Sequence, residues 1–201
     1  MNGRWAQPVT LSGHGIRLEP LSMAHQQDLV NAVSDGDLWK LPYANVPRPE
    51  AVPGGIAQGL QLQEVGWCVA LAVIDIDSGK AIGTTSYHDI LSAARRLEIG
   101  YTWFGLSWQR TQVNTICNFL MMEHAFEALD ARMIGWRTDH MNLPFQRAIE
   151  CLGVQKDGII RGDRVRSDGS FRDTLLYSMA ADAWPEAKAR LQTQLAARQV
   201  A

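Results

Sequence analysis

A carboxylate and a glycine lie close together in the stretch from Leu97 to Trp103, ahead of a basic turn. Glu98 is the candidate for proton transfer, because a carboxylate beside a reacting group accepts a proton directly or through one water. Alternation predicts a strand with Leu97 and Ile99 on one face and Glu98 on the other. Gly100 within it indicates a bulge or a close approach to the backbone, and both are common at active sites. A solvated strand carboxylate is the alternative interpretation of Glu98.

An anion-binding turn is predicted directly after this strand. Apolar residues return at helical spacing from Val113, so the segment from Trp108 to Asn114 leads from a strand into a helix. The first amides of a helix have no partner within it and carry partial positive charge, which suits a phosphate. Arg110 adds a full charge beside them. An ordinary connection that binds nothing is the alternative.

The composition limits the class of protein. A chain of 201 residues with 46% hydrophobic content is predicted to form one domain that buries about 70% of its unfolded surface. Its net charge of -2 argues against a general nucleic-acid or anionic-membrane surface. Cys68, Cys117 and Cys151 lie far apart in apolar contexts, which predicts reduced core thiols and a cytoplasmic chain. No secretory signal, membrane span or zinc-type spacing of His and Cys is recognisable, so no metal is expected.

The order of the predicted elements mixes α and β structure. Strands are predicted at Val9–Leu18, Trp67–Asp75, Ala81–Leu91, Leu97–Trp103, Arg132–Thr138, Val154–Val165 and Phe171–Met179. Helices are predicted from Ser22 to Asp35, Ile56 to Val65, Val113 to Leu129, Asn142 to Leu152 and Ala183 to Gln199. The proline-rich segment from Gly36 to Gly55 is too long for a plain connection and is typical of a binding loop. Its Trp39 and Tyr43 either line a site or pin the loop to the core.

Four segments in this order resemble those of one enzyme family: Leu97–Tyr101, Trp108–Asn114, Asn142–Gly153 and Arg172–Tyr177. The chain resembles the GNAT acyl-CoA-dependent N-acetyltransferases over roughly residues 9–185, and it is most similar to the branch containing bacterial ribosomal-protein N-terminal acetyltransferases. The resemblance implies an α+β fold with a central six- to seven-stranded, mostly antiparallel sheet, splayed mid-sheet and flanked by four to five helices. It implies one domain over 1–201, with a core of about 9–185 and a C-terminal helix at 183–199.

The resemblance also implies where a cosubstrate binds. In such enzymes the strand matching Leu97–Trp103 splays from the strand matching Arg132–Thr138, and the pantetheine arm of acetyl-CoA fills the gap while a strand amide polarises the thioester carbonyl. Acetyl-CoA is therefore the implied cosubstrate, with no metal. The implied cofactor-binding residues are Tyr101, Thr102 and Trp103 on the strand, Arg110, Thr111, Gln112, Val113 and Asn114 in the turn, and Asn142 and Arg147 further along.

The sequence departs from the family pattern in the turn, at Phe145, where this branch often has serine, and at Ile149. The glycines or alanine of the family turn are matched here by Thr111 and Val113. A positive φ at such a position costs about 1 to 2 kcal/mol, but ordinary helical angles need no glycine, so CoA binding is expected to survive. The tyrosine that many members use as general acid falls at Ile149, so that role has no candidate.

The acceptor side has several candidate residues. At pH 7 about one in ten α-amino groups is neutral, against roughly one in 2,500 lysines, so a base such as Glu98 helps an N-terminal amine only modestly. Trp39, Tyr43 and His88 are candidates for acceptor binding, although a lone histidine near a strand end is more often structural. Arginines crowd the last hairpin and either steer an acidic acceptor or form a solvated face; they are Arg161, Arg164, Arg166 and Arg172.

The leading hypothesis from these residues and this resemblance is an enzyme, an N-acetyltransferase. It would move an acetyl group from acetyl-CoA to a primary amine by direct attack. The acceptor would be the N-terminal amine of a protein or peptide, or a small-molecule amine, and the chain a monomer or homodimer. The alternative is a CoA-binding module with little or no transferase activity.

Overall fold

The computed structural model describes residues 3–44, 46–166 and 168–197. Its strands are β1 (Leu11–Gly13), β2 (Ile16–Pro20), β3 (Cys68–Asp75), β4 (Lys80–Leu91), β5 (Arg96–Phe104), β6 (Met133–Asp139), β7 (Gln155–Val165) and β8 (Phe171–Ala180). Its α-helices are α1 (Gln26–Ser34), α2 (Val52–Glu64), α3 (Val113–Glu123), α4 (Leu143–Glu150) and α5 (Trp184–Ala197). The mixed α+β prediction is confirmed.

One sheet of eight strands runs through the described chain in the order β1-β2-β3-β4-β5-β6-β8-β7. Among these strands only β5 and β6 pair in parallel. The sheet has more strands than the six or seven expected, because the predicted strand at Val9–Leu18 is two strands. A turn at His14 and Gly15, with φ of 52° and 79°, separates them.

Two hydrophobic clusters cover the two faces of the sheet. On one face α1 and α2 pack on the small and apolar side chains of β3, such as Ala70 and Ala72. On the other face α3, α4 and α5 pack on Leu71, Leu97 and Ile99. Because β3 is buried on both faces, its sequence is an almost unbroken apolar run and does not alternate. The two faces of the sheet are therefore covered by two separate sets of helices.

The helix boundaries differ from prediction in small ways. α2 begins at Val52, before the predicted Ile56, because Pro53 suits the first turn of a helix, where its missing N–H is no loss. After Glu123 the α3 helix continues as a π-helical turn, His124–Ala128. The last helix was predicted to reach Gln199, which lies outside the described residues.

The cysteine prediction is confirmed for two of the three thiols. Cys68 and Cys117 are buried and unpaired, and burial raises the pKa of Cys68 to about 11. Cys151 is a free thiol but exposed, so its assignment to the core is wrong. It lies just past the end of α4, where Ile149 and Leu152 take the buried positions.

Candidate functional site

Strands β5 and β6 part after three residue pairs. Arg96 faces Met133, Leu97 faces Ile134, and Glu98 faces Gly135. Beyond that point the described register of β6 continues only with β8. The remainder of β5 keeps its antiparallel partner β4 but leaves its other edge without a strand. The splay expected after Glu98 is therefore present, and it turns one edge of β5 toward a gap.

A β-bulge lies on β5 at the mouth of this gap. Thr84 faces Trp103 and Ser86 faces Gly100, so β5 carries one residue more than β4 between these pairs. Tyr101 within the bulge has a φ of 51°, a left-handed conformation that is uncommon for a residue other than glycine. The hydroxyl of Thr84 donates to the Tyr101 carbonyl at 3.2 Å. A bulge changes the direction of local backbone groups, and the β5 amide expected to contact a thioester carbonyl needs such a change of direction.

Gly100 allows the His88 ring to approach the strand closely, whereas the unusual backbone angle belongs to the next residue, Tyr101. A Cβ on Gly100 would lie 2.5 Å from His88 Nε2. The His88 ring also lies 5.0 Å from the Tyr101 ring and 5.6 Å from the Trp67 ring, centroid to centroid. Burial, more than any neighbouring charge, lowers the pKa of His88 to about 4, so the ring is neutral at pH 7. His88 thus supports the bulge from behind.

The basic turn leads into α3 as predicted. The Thr111 hydroxyl donates to the Trp108 carbonyl at 2.7 Å and accepts from the Val113 amide at 3.3 Å. Neither Thr111 nor Val113 has a positive φ, so the missing glycines impose no such strain; Arg110, with a φ of 60°, takes the left-handed position. The Gln112 side-chain nitrogen Nε2 is buried and has no hydrogen-bond partner among the described residues.

These features fit a phosphate-bearing ligand at the turn. The helix's own hydrogen bonds begin with the Ile116 amide donating to the Gln112 carbonyl, so the preceding amides, including that of Asn114, point out of the helix end. The unsatisfied Gln112 amide and the Arg110 guanidinium are further donors at the same turn. The five residues predicted from the sequence for this turn therefore lie together, although the Val113 amide is used by Thr111.

Of the two predicted residues beyond β6, Asn142 precedes α4 as its N-cap and Arg147 lies within α4. The Asn142 side-chain oxygen caps this helix by accepting from the Phe145 amide at 3.3 Å, and Arg147 is exposed on the helix. Asn142 therefore has a structural task, and its side-chain NH₂ remains the group able to contact a pantetheine amide. Their proposed roles toward CoA stay predictions.

Glu98 lies in an ion cluster on the sheet face opposite Leu97 and Ile99. Arg137 donates Nε to Glu98 Oε2 at 2.8 Å and Nη2 to Oε1 at 2.9 Å, and Arg96 donates Nη2 to Oε1 at 2.8 Å. The Glu98 side chain is 1% exposed, so the alternative of a solvated carboxylate is wrong. Gly135 makes room for it, since a Cβ there would lie 3.1 Å from Glu98 Cγ. The cluster ties β5 to β6 where they part.

A cleft of about 410 Å³ opens on the α1–α2 face beside the bulge. Its apolar walls include Leu21, Leu29, Val52, Ile56 and Leu62, and Val46 and Pro47 join them from the segment before α2. Tyr101, Trp103 and the hydroxyl residues Thr84, Thr85 and Ser86 bring the sheet to the cleft, and Arg164 enters from β7. The cleft therefore meets the gap in the sheet at the bulge.

Sequence reasoning found the surroundings of this cleft but not most of its lining. Trp39, Tyr43 and His88 are not among its lining residues, whereas Val46 and Pro47 of the same predicted loop are. The available signal, which the sequence analysis did not use, is the run of three small hydroxyl residues at 84–86 in the middle of β4. Glu98 does not line the cleft either.

Residues 16–155 match the model of the acetyltransferase (GNAT) domain. The chain belongs to the GNAT acetyltransferase family. A GCN5-related N-acetyltransferase from Brucella melitensis is 29% identical, with 94% of this chain and 86% of that chain covered and a TM-score of 0.83.

One further solved structure and one curated sequence are also similar to this GNAT chain. Mycobacterium smegmatis RimJ, solved in complex with CoA-disulfide, is 18% identical over 94% of this chain and 95% of its own, with a TM-score of 0.78. The Bacillus subtilis (strain 168) protein YoaA, an uncharacterized N-acetyltransferase, is 28% identical over 103 residues. That match covers 51% of this chain and 57% of YoaA. In the described part of the chain, no helix has the length and apolarity to cross a membrane, and no metal-holding group of His, Cys, Asp and Glu occurs.

Proposed function

We propose that this GNAT chain transfers the acetyl group of acetyl-CoA to a primary amine, either a protein or peptide N-terminus or a small-molecule amine. The observation that carries the proposal is the parting of β5 from β6 after Glu98, with a left-handed bulge at Tyr101 opening toward a cleft. Membership of the GNAT family supports the proposal, and the free thiols support a cytoplasmic location as a further part of it.

The residues divide the work as follows. The α3 amino end, with Arg110 and the Gln112 side chain, holds the phosphates, and the free edge of β5 holds the pantetheine arm. Acetyl-CoA supplies an activated thioester. An amide between Tyr101 and Trp103 polarises the thioester carbonyl, and removing one such donor costs about 3 to 4 kcal/mol in acyl transfer. The amine nitrogen bonds to the carbonyl carbon, the carbon–sulfur bond breaks, and the amine proton leaves for solvent or the departing thiolate.

Glu98 has two possible roles in this chemistry. The sequence predicts that Glu98 is a base that acts through a water molecule. Its contacts favour a positioning role, because both oxygens accept guanidinium N–H bonds and the side chain is 1% exposed. We propose that Glu98 holds β5 and β6 at the start of the splay. An α-amine, which is partly neutral at pH 7, needs little help from a base.

Calorimetry with CoA followed by a thiol-release assay tests the function. We expect saturable heat with CoA and release of free thiol from acetyl-CoA when a panel of N-terminal peptides, polyamines and amino-sugar drugs is offered. Tight CoA binding without thiol release across the panel would support a CoA-binding module instead. Absence of heat would refute the proposal outright. The resemblance of the sequence to the ribosomal-protein branch is the reason for including N-terminal peptides in the panel.

A further inference from the structure

The arginines of the last hairpin differ in what they contact. Arg166 is held by Asp139, with Nε to Oδ2 at 2.6 Å and Nη2 to Oδ1 at 2.8 Å, and both side chains are buried. Arg172 donates its Nε to the Thr174 hydroxyl at 2.9 Å. Arg164 pairs only at 3.5 Å with Asp163, through Nε, and its side chain is 62% exposed. Since a guanidinium has five N–H donors, Arg164 retains donors for a ligand.

A bulge in β7 directs Arg164 toward the cleft. Ile160 faces Thr174 and Arg164 faces Arg172, so β7 carries two residues more than β8 between these pairs. Gly162 lies inside this bulge with a φ of 61°, and its amide donates to Asp173 Oδ1 at 2.8 Å. The strand is therefore held in its bent course by a specific bond. Although β7 is the far edge of the sheet, Arg164 lines the cleft beside β4 and β5.

The cleft has a marked charge asymmetry. Among the described residues that line it, Arg164 is the single charged side chain, and no carboxylate is present. The nearby acidic groups have other partners: Glu98 bonds Arg96 and Arg137, and Asp163, which lies 3.5 Å from Arg164, accepts a closer bond from the Thr174 hydroxyl at 2.7 Å. A polycation would meet an apolar wall and a like charge there, whereas a carboxylate would meet a guanidinium whose fork matches its geometry.

Resting on the proposed function, we propose that the acceptor is a small primary amine with an apolar body and a free carboxylate, such as an apolar amino acid or a short peptide with its own carboxyl end. Arg164 binds the carboxylate, the α1–α2 wall holds the apolar body, and the amine faces the Tyr101 bulge. A cavity of about 410 Å³ is within the usual range for small-ligand pockets. The N-terminus of a long protein would bring no α-carboxylate to Arg164.

Matched acceptors test this preference on the full chain. Thiol release from acetyl-CoA is followed with Leu-Leu, with Leu-Leu amide and with spermidine. We expect kcat/KM for Leu-Leu to exceed that for the amide by roughly 3- to 10-fold, as for a partly exposed ion pair, with spermidine the poorest. Arg164→Gln should lower kcat/KM for Leu-Leu to that of the amide, mainly through KM, and leave the amide unchanged. Arg161→Gln, on the same bulge but outside the cleft lining, is the control and should change neither.

Four results would overturn the inference. Equal rates with Leu-Leu and its amide, a preference for spermidine, or equal loss on both peptides in Arg164→Gln each contradict a carboxylate contact while leaving acetyl transfer intact. Absence of transfer to any of the three acceptors, with CoA binding retained, also overturns the preference and points to a binding module. Absence of CoA binding removes the proposed function itself, so the two failures are distinguishable.

Discussion

The two halves of β5 differ in how they pair with neighbouring strands. Arg96 to Glu98 pairs with β4 and β6, and its charged side chains join those of β6. Ile99 to Phe104 pairs with β4 alone and contains the bulge and the left-handed Tyr101. The first half is bonded on both edges, and the second exposes one edge to a ligand. The ion cluster of Arg96, Glu98 and Arg137 acts as a clamp between β5 and β6, and the gap depends on this clamp because a gap of fixed width needs a fixed point where it begins.

Breaking the clamp should have the largest effect. Arg137→Met removes the bidentate partner of the buried Glu98 and should lower the free energy of unfolding by about 3 kcal/mol, the lower end for a buried pair because Arg137 is 36% exposed. Arg96→Met leaves the bidentate pair and should cost about 1 kcal/mol. Urea denaturation of both variants measures the difference. Equal losses would show that the clamp is not centred on Arg137.

Disturbing the bulge should affect catalysis rather than stability. Tyr101→Val puts a β-branched residue at a φ of 51°, which shifts the local amides, and kcat should fall about 100-fold. Tyr101→Asn is the control, because asparagine tolerates left-handed backbone and also removes the ring. Steady-state kinetics with saturating acetyl-CoA separates backbone from side chain. Equal kcat in the two variants would mean that the amide geometry of the bulge is not catalytic.

His88 connects the two halves, since it faces Glu98 in register and packs against Gly100. Its folded-state pKa of about 4 is below the unfolded value of 6.5. As the pH falls from 6.5 toward 4, the unfolded chain gains a proton that the folded chain does not, so His88 should cost about 2 to 3 kcal/mol of stability over that window. His88→Gln should flatten the pH dependence of unfolding there. An unchanged slope would contradict a neutral, packed ring.

Glu98→Gln decides between positioning and proton transfer. The amide keeps the shape but loses the charge-assisted bonds, so the free energy of unfolding should fall by about 1 to 2 kcal/mol. The factor by which the variant lowers turnover should then be the same at every pH from 7 to 9. A loss that is confined to neutral pH and rescued at high pH would support the base predicted from the sequence.

Changing the turn should give the smallest effect. Arg110→Gly removes the charge but suits a φ of 60°, so CoA affinity should fall roughly 3- to 5-fold while stability rises by up to about 1 kcal/mol. Arg110→Lys keeps the charge and should hold most of the affinity. Calorimetry with CoA and thermal denaturation measure the two quantities. A CoA affinity unchanged in Arg110→Gly would exclude Arg110 from the phosphate site.

The sequence predicted the strand, turn and helix of the site because each has a local signature. Alternation marks β5, and helical spacing marks α3 from Val113. The ion cluster was not predictable in this way, since Arg137 is 39 residues from Glu98 and meets it only through the parallel pairing of β5 and β6. The position of Arg164 likewise depends on a bulge in β7, and no local sequence pattern predicts that bulge. Individual strands and helices can be predicted from local sequence patterns, whereas contacts between distant strands depend on how the whole sheet is assembled.

Hydrogen exchange of the β5 amides with and without CoA tests the central claim most directly. The account predicts that CoA slows exchange in the segment from Ile99 to Phe104, whose free edge it covers, and leaves Arg96 to Glu98 unchanged, because those residues are already paired on both edges. Saturation with CoA that slows both halves equally, or neither, would contradict a cosubstrate seated in the gap beside β5.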